Sequence, residues 1–182
     1  MSTLIHTALF CEANPIISYF KLKINNDFLE LKNFKIYTNK DLVLLISGIG
    51  KKNTIKALNL IYKHFFIEKA INIGICGSSD KSFEIGTLFA VNNNCDNLKN
   101  DIQKASLSTF DKPCTQDEKQ SIKTSLVDME YKYFLEISQK HLDDKNIYGF
   151  KIVSDYLENK ILAKDFVSNL VQKNLNKWVE YV

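Results

Sequence analysis

Three acidic residues stand at positions where a carboxyl group could do chemistry. Glu12 follows an apolar segment that starts at Leu4, Asp155 follows the apolar segment 148–154, and Glu130 lies at the start of an amphipathic segment. A carboxyl group can protonate a leaving group or activate a water molecule. Acidic residues at these positions also cap helices or interact with the helix dipole. The residue types alone leave both interpretations open.

Glycine-containing turns follow two other apolar segments. Gly48-Ile49-Gly50 comes after the segment 41–47, and Gly77-Ser78-Ser79 comes after the segment 70–75. Glycine permits a tight turn from a strand into a helix. The same turns would let backbone amides approach a ligand, with a hydroxyl added by Ser78 or Ser79. The two roles are compatible.

The positions of these residues depend on the elements that carry them. Continuous apolar segments predict buried β-strands, and apolar residues at helical spacing predict α-helices. Strands are expected over 4–10, 41–47, 70–75, 85–91 and 148–154; helices over 53–65, 129–141 and 165–178, with Pro15 in the first turn of another. Polar loops are expected over 92–101 and over 111–123, the second running into a helix.

This order of strands and helices predicts the α/β class, with a central mixed, mostly parallel sheet flanked by helices. In open α/β sheets, ligands bind beyond the carboxyl ends of the strands. That rule selects Glu12, the turns 48–50 and 77–79, and the pair Ser154-Asp155. We therefore expect these residues to share one rim of the sheet.

Composition restricts the class of protein further. The chain has 182 residues, which fit a single domain spanning 1–182, and its net charge of +3 is too small to indicate nucleic acid binding. Its four cysteines and three histidines show no zinc-ligand spacing, and no apolar segment is long enough to span a membrane. We expect a cytoplasmic protein with reduced thiols and no metal. The sequence contains no arginine, so a phosphate site would depend on lysine, hydroxyls or backbone amides.

Five segments resemble, in order, those of the methylthioadenosine/S-adenosylhomocysteine nucleosidases in the nucleoside phosphorylase/nucleosidase superfamily. They are ALFCEANP at 8–15, ISGIGK at 46–51, NIGICGS at 72–78 with Ile85-Gly86, VDME at 127–130, and IVSD at 152–155. No single segment is specific, but five in the family's order cover nearly the whole chain. The resemblance implies a nucleoside phosphorylase-like fold.

The resemblance also implies hydrolysis of the N-glycosidic bond of a purine nucleoside to free base and pentose, without a cofactor. Asp155, oriented by Ser154, would protonate N7 of the base. Glu130 would bind the ribose 2′- and 3′-hydroxyls, and Glu12 would hold the attacking water. The further substrate-binding residues we expect are Met129 under the sugar, Phe110 stacked on the base, and Gly48, Gly77 and Ser78 in the turns.

The sequence departs from the family at several positions. Tyr131 replaces a small residue, Thr87 an aspartate, and Ile75 a frequent hydroxyl residue, while the region between Val91 and Val127 is short. Two alternatives therefore stay open: a phosphate-dependent phosphorylase, which the missing arginine disfavours, and a nucleoside-binding homologue with weakened catalysis. The family commonly forms homodimers or higher homo-oligomers, and we expect the same here.

Overall fold

The computed structural model describes residues 2–27, 34–91, 98, 102–115, 117, 122–158 and 160–182. Within these residues the chain forms ten β-strands and four α-helices. The strands are β1 Ser2–Thr7, β2 Lys23–Ile24, β3 Lys35–Thr38, β4 Leu42–Ile46, β5 Ile67–Ser78, β6 Leu88–Ala90, β7 Gln103–Lys104, β8 Leu107–Thr109, β9 Leu126–Asp128 and β10 Ile147–Asp155. The helices are α1 Phe10–Phe20, α2 Lys51–His64, α3 Tyr131–Ser138 and α4 Lys164–Trp178.

The strands form one mixed sheet in the order β2-β3-β4-β1-β5-β10-β6-β7. Its four central strands, β4, β1, β5 and β10, are mutually parallel, so their carboxyl ends meet at one edge. Antiparallel pairing occurs where β3 joins β4, where β6 joins β10, and where β9 joins the end of β5. The predicted α/β class, with a central mixed sheet flanked by helices, is confirmed.

Helices cover both faces of the sheet. Alternate residues of a strand point to opposite faces, so Ile5 and Ile71 pack with α1 and α4, whereas Leu4 and Ala70 pack with α2 and α3. Because neither face of the central strands meets water, these strands have apolar residues in succession rather than in alternation. Among the helices of the described residues, none has the length and apolar character needed to cross a membrane.

The first helix begins earlier than the sequence predicted. Strand β1 ends at Thr7 rather than residue 10, and α1 begins at Phe10, so Pro15 lies beyond the first turn. The reason is the Glu12 carboxylate, which accepts the backbone N–H groups of Ala8 and Leu9 and so starts the helix ahead of the proline.

Other boundaries shift by a few residues. Strand β5 continues to Ser78 because β9 pairs with its end, whereas the strand expected over 85–91 contracts to Leu88–Ala90. The short strands β2, β3, β7, β8 and β9 were not predicted, since they contain only two to four residues each. The loop expected over 92–101 lies mostly outside the described residues, as do residues 116 and 118–121 of the segment 111–123.

Tyr131, one of the departures from the family pattern, belongs to the core. Its side chain is buried with the cluster under α2 and α3, and its ring centre lies 6.2 Å from that of Phe134. It covers Gly149 on β10 so closely that a Cβ built there would lie 2.7 Å from Tyr131 Cζ. The large side chain thus occupies space that Gly149 leaves open.

We predict that Gly149→Ala destabilises the protein by about 1–3 kcal/mol, because an added methyl group overpacks a filled core. Urea unfolding would measure the loss. The Tyr131→Leu variant is the matched background, since it removes the ring that the methyl group would meet. An equal loss in both backgrounds would show that Tyr131 is not the cause.

Candidate active site

A cavity of about 220 Å³ opens at the carboxyl end of the parallel strands. The three acidic residues Glu12, Glu130 and Asp155 all line it, although they come from the start of α1, the start of α3 and the end of β10. The remaining described lining residues are Ala8, Leu9, Ile49, Ile75, Cys76, Gly77, Pro113, Cys114, Val127, Asp128, Met129, Ser154, Glu158 and Lys160. The rim predicted from the strand ends therefore carries a concave site.

Glu12 is held by backbone amides on two sides. Its Oε2 accepts the N–H groups of Ala8 at 3.0 Å and Leu9 at 2.8 Å, and its Oε1 accepts the N–H of Ile75 at 2.9 Å. Burial raises the pKa of Glu12, and these three hydrogen bonds to the ionised form oppose the rise. Gly74 leaves room for this carboxylate, because a Cβ there would lie 2.8 Å from Oε1.

Glu130 is buried directly before α3. Its Oε1 accepts the backbone N–H of Gly50 at 2.7 Å, which links the start of α3 to the start of α2. Burial raises the pKa of Glu130 to about 7, and Asp128 adds to the rise, while Lys151 and the Gly50 N–H oppose it. Gly50 itself has a φ of +89°, a conformation that favours glycine.

Asp155 is partly exposed at the end of β10 and has two fixed partners. The Leu157 N–H donates to Oδ1 at 2.9 Å, and the Ser154 hydroxyl lies 2.7 Å from Oδ2. The same hydroxyl is 3.0 Å from the carbonyl oxygen of Cys76. A serine hydroxyl has one proton to donate but can also accept one. The Ser154 proton can go to Asp155 Oδ2 or to the Cys76 carbonyl oxygen, and the hydroxyl lies against the carboxyl group and orients it.

A buried ion pair lies beside these carboxyl groups, and it was not predicted from the sequence. Lys151 Nζ is 2.8 Å from Asp128 Oδ2, with the two side chains only 3% and 1% exposed. Asp128 also accepts the N–H of Tyr131 at 2.8 Å and the hydroxyl of Thr109 at 2.5 Å. Burial acts against the charge on Lys151, yet Asp128, Glu130 and Glu12 together raise its pKa. The sequence feature that could have indicated this ion pair is Lys151 itself, a single lysine inside the otherwise apolar segment 148–154.

The predicted site residues divide into two groups. Glu12, Gly77, Met129, Glu130, Ser154 and Asp155 line the cavity, whereas Gly48, Ser78 and Phe110 are not among its lining residues. Gly48 turns the chain with a φ of +81°, and its N–H donates to Ala8. The Ser78 hydroxyl bonds to the carbonyls of Asp80 and Ser125. Ile49, from the predicted turn 48–50, lines the cavity, and so do Cys114 and Lys160, which were not predicted.

The sheet order, the flanking helices and the rim of carboxyl groups define an α/β protein with the nucleoside phosphorylase-like fold, as the sequence resemblance implied. No family model and no curated protein matches the sequence at a significant level. Solved structures do resemble this chain, and among them are nucleosidases, which therefore have the same fold.

Three of those structures illustrate the similarity. Futalosine hydrolase of Helicobacter pylori superposes with a TM-score of 0.79 at 17% identity, covering 100% of this chain and 98% of its own. A mutant of the methylthioadenosine nucleosidase of the same species, with 5′-methylthioadenosine in its active site, gives 0.80 at 15%, covering 100% and 99%. The 5′-methylthioadenosine/S-adenosylhomocysteine nucleosidase of Campylobacter jejuni gives 0.76 at 18%, covering 100% and 98%.

The raised pKa of Glu130 predicts a pH-dependent effect of Glu130→Gln on stability. Since the pKa rises from 4.5 to about 7 on folding, wild type loses stability as pH increases from about 4.5 to about 7, because in this range the unfolded carboxyl is ionised while the buried one is still protonated. The glutamine can still accept the Gly50 N–H but carries no charge. The free energy of unfolding of Glu130→Gln minus that of wild type should therefore be larger at pH 8 than at pH 4, by about 3 kcal/mol.

Urea unfolding at the two pH values measures this difference. Glu136→Gln is the matched control, because Glu136 lies on the same helix with its side chain 53% exposed. A Glu130→Gln effect that is the same at pH 4 and pH 8 would show that Glu130 does not titrate as a buried acid.

Proposed function

We propose that this protein hydrolyses the N-glycosidic bond of a purine nucleoside, releasing the free base and the pentose. The observation that carries the proposal is the convergence of Glu12, Glu130 and Asp155 on one cavity of about 220 Å³. Residues far apart in sequence bring three carboxyl groups, in three different environments, to the place where this fold binds ligands. Different environments are what allow carboxyl groups to take different roles.

Asp155 is proposed as the general acid that protonates N7 of the departing base. A purine leaves more readily when its nitrogen is protonated, because the negative charge that would develop on the ring is neutralised. The Ser154 hydroxyl, which donates to Oδ2, and the Leu157 N–H, which donates to Oδ1, support this role because they orient the carboxyl group. The partial exposure of Asp155 leaves it accessible to a ligand in the cavity.

Glu130 and Glu12 are proposed to act on the sugar and on water. Positive charge develops on the ribose in an oxocarbenium-like transition state, and a fixed carboxylate bound to its hydroxyls stabilises that charge. Glu130 is suited to this because the Gly50 N–H orients its carboxylate. Glu12, held by three backbone amides, would orient the attacking water.

Water is preferred over phosphate as the nucleophile on the basis of the lining residues. A phosphate in the cavity would need cationic or multiple N–H partners. Lys160 is the one cationic residue among the described lining residues, and Lys151 is bound to Asp128. Ile75 adds an apolar side chain where a hydroxyl could have contacted an anion.

The substrate class we propose follows from the solved structures of this fold. The named proteins act on futalosine or on methylthioadenosine and S-adenosylhomocysteine, and 5′-modified purine nucleosides are therefore the first candidates.

We further propose a single domain over 1–182, a cytoplasmic location, and a homodimer or higher homo-oligomer. Support for association comes from two exposed apolar side chains, those of Phe10 and of the cavity-lining Ile49, which are 45% and 50% exposed.

The test is release of free base from 5′-methylthioadenosine, futalosine and adenosine, with and without phosphate. We expect release without phosphate, and a loss of at least about 100-fold in kcat for Asp155→Asn, because general acid catalysis contributes roughly 10²–10⁴-fold. The asparagine can still accept the Leu157 N–H, so the fold should be retained. Asp165→Asn, at an exposed position in α4, is the control and should leave the rate unchanged.

Other outcomes identify the alternatives. Release that requires phosphate would indicate a phosphorylase. No release, together with a nucleoside-induced rise in Tm, would indicate a binding protein with lost or weakened catalysis. No release and no rise in Tm would refute nucleoside recognition altogether.

A further inference from the structure

His6 is fully buried at the centre of the sheet, and the proposed chemistry does not use it. It lies on β1, and both of its ring nitrogens have partners on the neighbouring strands or their ends. Nε2 is 2.8 Å from the hydroxyl of Ser47, directly after β4, and Nδ1 is 2.7 Å from the amide nitrogen of Asn72 on β5. It is not among the described residues that line the cavity.

The direction of these hydrogen bonds fixes the state of the ring. The Asn72 amide donates to Nδ1, so Nδ1 carries no proton and Nε2–H donates to the Ser47 hydroxyl. Burial lowers the pKa of His6 to about 3, with Lys151 contributing, so the ring is neutral at physiological pH. The Ser47 hydroxyl in turn donates to the carbonyl of Gly48 at 2.8 Å. A directed chain therefore runs from Asn72 through His6 and Ser47 to the glycine turn.

The turn at the end of this chain holds Glu130. Gly48 is further fixed by its N–H, which donates to Ala8 at 3.0 Å, and two residues later the Gly50 N–H donates to the Glu130 carboxylate at 2.7 Å. The orientation of that N–H depends on the backbone of the turn, and the turn depends on Ser47.

A second contact from His6 reaches Glu130 through α3. The imidazole ring stacks on Phe134, with ring centres 5.5 Å apart and planes inclined by 11°. The Phe134 N–H donates to the backbone carbonyl of Glu130 at 3.0 Å, in the first turn of the helix. His6 thus contacts both elements that set the position of Glu130.

We propose that His6 is a positioning residue for Glu130, and that it thereby supports selection of ribose over 2′-deoxyribose. This inference rests on the proposed function, in which Glu130 binds the ribose hydroxyls. A hydrogen bond to a hydroxyl is sensitive to displacements of a few tenths of an ångström. Loss of the His6 contacts should therefore lower turnover of a ribonucleoside, which makes both hydroxyl contacts to Glu130, by a larger factor than turnover of a 2′-deoxynucleoside, which keeps only the 3′-hydroxyl contact.

The test compares kcat/KM for adenosine and 2′-deoxyadenosine in wild type, His6→Leu and His6→Gln. We expect His6→Leu to lower the ribose-to-deoxyribose ratio of kcat/KM about tenfold, corresponding to roughly 1.4 kcal/mol, a typical net value for one hydrogen bond. The glutamine amide can still donate toward Ser47, so His6→Gln should restore part of the ratio. Ile5→Val is the control, because Ile5 is the buried neighbour that faces the opposite layer, and it should leave the ratio unchanged.

A purely structural role gives a different result. In that case His6→Leu would reduce both rates by the same factor and keep the ratio, which would overturn the inference. If His6→Leu does not fold, Ser47→Ala and the Ser47→Ala/His6→Gln pair replace it. The pair should lower the ratio no further than Ser47→Ala alone, because both act through one chain of hydrogen bonds.

Base release by wild type tests the proposed function separately from the role of His6. If wild type releases no base, the ratio is measured instead from the Kd values of the two nucleosides by calorimetry. A lower preference for ribose in His6→Leu would support the positioning role even without turnover. An unchanged preference, or no wild-type preference at all, would overturn it.

Discussion

The buried ion pair between Lys151 and Asp128 is the interaction on which the candidate site depends. Neither charge could stay in the interior alone, since removing one partner of a buried pair typically costs about 3–5 kcal/mol. Asp128 also accepts the N–H of Tyr131 in the first turn of α3, so it fixes the helix start that carries Glu130. Lys151 opposes the rise in the pKa of Glu130 and Glu12 that burial causes. The pair thus sets both the geometry and the charge of the site.

Backbone N–H groups hold the carboxylates of Glu12 and Glu130 in place. Glu12 and Glu130 accept N–H groups from the turns after β1 and β4 and, for Glu12, from β5 itself. Such donors belong to the rigid frame of the sheet, so they orient the carboxylates without the entropy cost of ordering further side chains. They also hold Glu12 against Gly74, where an added Cβ would lie 2.8 Å from Oε1 and would force the carboxylate to shift.

The same frame accommodates large departures in sequence. Solved nucleosidases superpose on this chain over its full length at 15–18% identity, because a sheet covered on both faces accepts many combinations of apolar residues of suitable total volume. Tyr131 is an example, since its ring occupies the space over Gly149 and packs into the layer beneath α2 and α3 rather than lining the cavity. The hydrogen bonds of His6 show that polar residues can also be placed in this interior when each nitrogen has a partner.

The sequence by itself determined the α/β class, the central strands and the rim that bears Glu12, Ser154 and Asp155. Apolar periodicity and strand ends are local properties, and the carboxyl ends of parallel strands must meet at one edge. Only the tertiary structure decided that Lys151 pairs with Asp128, that His6 joins residues 41 and 66 positions away, and that Ser78 and Phe110 lie outside the cavity lining. These contacts depend on strand register and on which face each side chain meets, and a shift of one residue would reverse the face.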